Sequence, residues 1–119
     1  MYREIIMGYL AQELGEGVSL RMDYPMEAPT SPVVTYSEAA NNAYRTFDGE
    51  EYLTEYEMQL DIYAQDAGMA EEISRTISQA VGGMGFKRIL CNDAAPLDGM
   101  RIKQLRFRGI IGPGNVVYQ

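Results

Sequence analysis

Histidine is absent from this sequence. Its absence removes histidine-based nucleophile triads, histidine metal sites and the usual general base near neutral pH. Cysteine is nearly absent as well. Cys91 stands alone, so neither an internal disulfide nor a cysteine zinc site can form. It lies on an apolar run and reads as a buried small hydrophobe. No apolar run approaches membrane-spanning length. The opening stretch, MYREIIMGYLAQEL, has one Arg, two Glu and no apolar segment of signal length, so it does not read as a secretion signal. The expectation is a soluble chain made in a cytoplasm. Positive charge is in deficit: ten Lys and Arg face seventeen Asp and Glu, a net charge of −7. Such a chain is poorly suited to holding DNA through its phosphates.

The deficit is uneven. Residues 1–85 hold four basic and fifteen acidic side chains, and residues 86–119 hold six basic and two acidic. Two opposed faces that meet between subunits would use this asymmetry. Pairing of the two sets within one sheet explains most of it.

What is present fits one domain over 1–119, with a core that needs no metal or disulfide staple. The central stretch is 50–64, EEYLTEYEMQLDIYA. Tyr52, Thr54, Tyr56, Met58, Leu60, Ile62 and Ala64 alternate with Glu51, Leu53, Glu55, Glu57, Gln59, Asp61 and Tyr63. Period-two alternation predicts a strand with one buried and one wetter face. A buried parallel strand would be apolar on both faces, so the sheet is expected to be antiparallel.

Upstream, Tyr2, Ile5, Ile6, Tyr9, Leu10 and Leu14 form one apolar stripe, which predicts a helix over 2–14 ended by Gly15. Residues 18–24 alternate as a short strand. Pro25, Pro29 and Pro32 then break regular structure. Residues 33–36 read as a short strand. The polar stretch 37–49 reads as a projecting loop, with Asn41-Asn42 and Asp48-Gly49 as turn signals. Tyr44, Arg45 and Phe47 make that loop a candidate binding arm, or pin it to the sheet.

Downstream, Asp66 is placed to cap a helix over 67–83. Its apolar stripe is Met69, Ile73, Ile77, Ala80, Val81 and Met84. Ser74, Thr76, Ser78 and Gln79 form the wet side. Gly82, Gly83 and Gly85 follow the helix, whereas a phosphate cradle would precede one. Strands follow at 86–92 and 100–110, joined by a turn-rich connection over 94–99. The apolar phase slips between Ile102 and Leu105, which predicts a β-bulge near Lys103 and Gln104. With that bulge, Arg101, Lys103, Arg106 and Arg108 all point from the core. Residues 116–118 form an apolar tail.

The predicted fold is α+β. It has two layers, with a mostly antiparallel sheet covered on one face by two helices. A crossover through the second helix and a hairpin back place 100–110 beside 50–64. Glu55 or Glu57 should then lie close to Arg106 or Arg108. Glu55 and Glu57 could share a cation, but an Arg-paired ladder explains them better. Asp93 and Asp98 flank a turn and could act as general acids; turn chemistry suffices for both. The basic strand could grip phosphates, but its predicted neighbour supplies carboxylates. No signal is specific for catalysis, a metal or a cofactor. Nine tyrosines and eight methionines hint at interaction surface, although those on the periodic stripes belong to the core.

The order of these elements resembles that of the tail terminator, or tail completion, proteins of long-tailed bacteriophages and prophages. The resemblance spans nearly the whole chain. It rests on the N-terminal helix, the Pro-rich stretch before Val33-Val34-Thr35-Tyr36, and the strand from Glu55-Tyr56-Glu57-Met58 to Tyr63-Ala64. The helix from Ala70-Glu71-Glu72-Ile73 and the C-terminal hairpin with Arg106-Phe107-Arg108 complete it. It implies a small α+β subunit of a virion ring, six copies in number, without enzymatic activity or cofactor. It further implies that the ring caps the tail tube, meets tube and head-connector proteins, passes DNA through its lumen and binds no membrane. Tyr44, Arg45, Phe47, Arg106 and Arg108 are the candidate interface residues. The competing classes are a small ligand-binding domain or enzyme, and a nucleic-acid adaptor using the basic last strand.

Overall fold

The strand predicted over 50–64 is the centre of the sheet in the computed structural model, which describes residues 2–22, 32–45, 52–97, 100–112 and 117–118. It is the third strand in chain order, β3 (Tyr52–Ala64). Its even-numbered side chains Tyr56, Met58, Leu60, Ile62 and Ala64 are all buried. β2 (Val33–Arg45) and β5 (Met100–Ile111) flank it, both antiparallel. β1 (Ser19–Arg21) pairs parallel with β2. β4 (Lys87–Leu97) and β6 (Val117–Tyr118) pair with β5. The strand order is β1-β2-β3-β5-β4.

α1 (Tyr2–Leu14) and α2 (Ala67–Gly83) cover one face. Ile6 and Leu10 from α1, and Ile73, Ile77 and Val81 from α2, join the inward side chains of β3 with Val34, Tyr36, Leu105 and Phe107. The two-layer α+β architecture therefore stands as expected. So does the route of the chain: α2 carries it past β5 to β4, and a hairpin returns it to fill the gap.

The helix ends follow their local chemistry. Asp66 is extended, and its Oδ1 accepts the Met69 backbone N–H at 2.7 Å, which starts α2. Gly15 and Gly85 take positive φ, 79° and 104°, as stops after the two helices. Replacing Asp66 with Ala is expected to cost about 1 kcal/mol, read as a lower urea midpoint with an unchanged slope.

Several elements differ from the sequence reading. β2 runs on to Arg45, so 37–45 is not a loop; residues 46–49 lie outside the described residues. The polar residues of this half are held by register with β3, from Ser37 opposite Gln59 to Arg45 opposite Tyr52. One irregularity, between Glu38 and Ala40, adjusts that register. β4 likewise extends through residues read as a turn, and the tail contributes β6.

β5 pairs with β3 without a slip, from Arg101 opposite Ala64 to Ile111 opposite Thr54. No bulge turns Lys103 outward. Arg101 and Lys103 share the helix side with Leu105 and Phe107, while Arg106 and Arg108 lie on the other. The register shifts are on β4, between Arg88 and Leu90 and between Ala94 and Leu97. The apparent phase slip has another cause: β5 changes its dry side along its length, while β2 and β3 are dry on both faces at the Met100 end. Met100, with Val33 and Tyr63, is buried on the face away from the helices, and Ile102 packs against them.

On α1 the buried line is Ile6 and Leu10, and Ile5 and Tyr9 are exposed. Ser74, read as wet, is buried on α2. Cys91 is exposed, because β4 is an edge strand and gives that side chain little cover.

Candidate assembly surface

The outer face of the sheet carries the predicted charge ladder. Register places Glu57 opposite Arg108 and Gln59 opposite Arg106. Arg108 Nη2 donates to Glu55 Oε2, and Arg108 Nε lies 3.8 Å from Glu57 Oε1. One guanidinium thus sits between two carboxylates that would otherwise repel each other. Arg106 Nη2 donates to Gln59 Oε1 at 2.6 Å, and Gln59 Nε2 donates to Asp61 Oδ1 at 3.1 Å. Asp61 is buried. The buried Nε of Arg106 has no hydrogen-bond partner. Arg106 and Arg108 are therefore tied into their own sheet, and Arg108 offers a neighbour little free charge. Glu55 and Glu57 are Arg-paired, and among the described residues no group of three or more His, Cys, Asp or Glu could hold a metal ion.

Two of the other candidate residues lie at the far end of the β2–β3 pair. Tyr44 lies opposite Leu53, and Arg45 opposite Tyr52. Phe47 lies outside the described residues. Tyr44 and Arg45 are thus the end of a long strand rather than points on an arm that leaves the sheet at Tyr36.

The helix side has its own polar groups. Lys103 Nζ donates to Glu71 Oε2 at 2.9 Å and lies 3.5 Å from Asp93 Oδ1. The Glu71 hydrogen bond raises the Lys103 pKa, against desolvation. These residues border a small cavity of about 160 Å³ with Arg101 and Ala67. Asp93 is thus an ion-pairing strand residue; Asp98 lies outside the described residues.

Deeper in the layer, the Tyr36 and Tyr56 hydroxyls are 2.6 Å apart, and Tyr56 Oη donates to Glu38 Oε1 at 3.4 Å. With Tyr56 donating to Glu38, Tyr36 donates to Tyr56. Burial raises both phenols. Tyr56 is pushed up to about 12, and Tyr36 further, because ionising it would also break its donation. Sequence reading missed this pair because the residues are 20 apart. The available signal was that both lie on the buried phase of adjacent strands.

A second set of charges was not singled out by sequence pattern. Glu13 lies near the end of α1, and Glu16 follows it. Arg75 is on α2, and Lys87 and Arg88 open β4. Arg88 Nη1 donates to Ser78 Oγ at 3.2 Å. Among the described residues none of these five has an ion-pair partner. Unlike Arg108 and Lys103, they are left available to another molecule.

No family model and no curated protein matches the chain. A solved structure does. The chain is similar in fold to one from the virion of a native gene transfer agent particle, at 16% sequence identity and a TM-score of 0.60. The match covers 87% of this chain and 84% of that one. This likeness is one of fold.

Proposed function

We propose that this chain is a structural subunit of a phage-like virion. Within that role, it forms a closed ring, of six copies as the terminator resemblance implies. The ring caps the finished tail tube, ends its polymerisation and presents the face to which the head docks. The observation that carries this reading is the fold shared, over most of both chains, with a component of a gene transfer agent virion. The element order that resembles the terminator proteins points the same way. The role is architectural and needs no cofactor. Its partners are further copies of itself, the tube protein and a head-side connector. DNA passes through the lumen, and carboxylates lining it would let the duplex slide where a basic wall would hold it.

The test is deletion of the gene from a producing strain, with particles imaged by negative stain. Tails of uncontrolled length and heads left unjoined are expected. Tails of normal length joined to heads would overturn the terminator reading. Light scattering on the purified chain should give a mass several times 13.3 kDa.

A further inference from the structure

Two surfaces of the subunit carry apolar side chains beside charges that have no ion-pair partner among the described residues. The first is the solvent side of α1. Ile5 and Tyr9, one turn apart, are 50% and 40% exposed. Glu13 lies one turn further along the same line, and Glu16 follows. Gly8, between the two apolar residues, has open space where a Cβ would stand, so the stripe is open to a partner. The second surface is the β4 edge. Ile89, at the register shift between Arg88 and Leu90, is 45% exposed. Lys87 and Arg88 precede it, and Ser78 holds Arg88 against α2, where Arg75 lies one turn earlier.

The fold keeps these surfaces apart. β1 and β4 end the strand order on opposite sides. α1 packs against β1 and α2, while α2 lies over β3, β5 and β4. Among the described residues no ion pair joins the acidic stripe to the basic edge within one subunit. The stripe can reach the edge of another copy.

We infer that the α1 stripe of one copy docks on the β4 edge of the next. Glu13 and Glu16 meet Arg75, Lys87 and Arg88, and Ile5 and Tyr9 cover Ile89. The inference rests on the ring reading above and supplies its contact. Two unlike patches make a heterologous contact, which propagates and closes when the rotation per subunit allows. Acidic stripe against acidic stripe, or basic edge against basic edge, brings like charges together and is disfavoured. Tyr and Arg are the side chains that most often anchor such contacts. The contact also draws on the charge asymmetry of the chain, while Arg106 and Arg108 stay inside their own sheet.

The experiment is a charge swap. Three variants are compared with wild type: Glu13→Lys/Glu16→Lys, Arg75→Glu/Arg88→Glu, and all four substitutions together. All sites are exposed or at the surface edge, and far-ultraviolet circular dichroism checks the fold of each. Mass is read by light scattering across protein and salt concentration. Each double variant should associate at least about tenfold more weakly than wild type, and the quadruple variant should recover. Wild-type association should weaken as salt rises. If wild type assembles and both double variants assemble equally well, this contact is wrong while the ring reading stands. Loss in both without recovery in the quadruple variant also overturns the pairing, and points to contacts with a different partner such as the tube subunit. If wild type stays monomeric, even with purified tail tubes, the ring reading falls and the contact with it.

Discussion

Raising the pH from about 9 to about 12 is expected to remove several kcal/mol of stability, through two buried phenols. Tyr36 and Tyr56 are fully buried, and both hold their protons above the ordinary value of 10.0. Their contribution is complete below that value. Above it the unfolded chain releases protons that the folded chain retains, so stability falls as pH rises. The slope is about 1.4 kcal/mol per pH unit for each phenol. The share of Tyr56 ends near its folded value of about 12, and that of Tyr36 continues beyond. Lys103 acts with the same sign. Its pKa is raised in the fold, so its ammonium stabilises below the unfolded value and is lost at higher pH. Urea midpoints at successive pH values measure the slope. The variant Tyr36→Phe/Tyr56→Phe should flatten it above pH 10. An unchanged slope in that variant would show that these phenols are not its source.

The second large effect is expected at the middle of the sheet. Leu60 is fully buried, with Tyr36 opposite it on β2 and Leu105 opposite it on β5. Paired ladders on both sides limit how far the backbone can close a gap. Leu60→Ala should therefore cost about 2–5 kcal/mol, the range for a leucine whose cavity does not collapse. Leu53→Ala, at a half-buried position on the other face of the same strand, should cost clearly less. Chemical denaturation of both variants measures the difference. Equal losses would mean that β3 is packed evenly on both faces.

The elements that could be read from sequence are those whose local pattern and tertiary role agree. β3 alternates because one face meets the helices. α2 begins at Asp66 because a carboxylate satisfies a free N–H there. The pairing of β3 with β5 was legible from opposite charges on two alternating strands. β2 was legible only as far as Tyr36. Ser37, Asn41 and Asn42 favour turns locally, and pairing with the distant strand β3 holds them extended. The orientation of Lys103 was misread because period-two reasoning assumes that a strand keeps one dry face, and β5 does not. Cys91 was assigned to the core from its apolar neighbours, but apolar runs do not reveal which strand lies at an edge. Of the candidate interface residues, Arg106 and Arg108 were placed on the correct face but are engaged internally. Arg75, Lys87 and Arg88 attracted no attention, because a lone surface cation has no signature until its lack of a partner is visible.

The second dry face at one end of the sheet also bears on how firmly each part of β3 is held. Around Val33, Tyr63 and Met100 the strands are apolar on the outer face as well as the inner. Toward Glu55 and Arg108 the outer face is polar and part-exposed. The ladder near Tyr63 thus has an apolar layer on both faces, and the ladder near Glu55 has one on the helix side alone. Amides at 61–63 should accordingly exchange more slowly than those at 53–55, a stiffness gradient along a single strand.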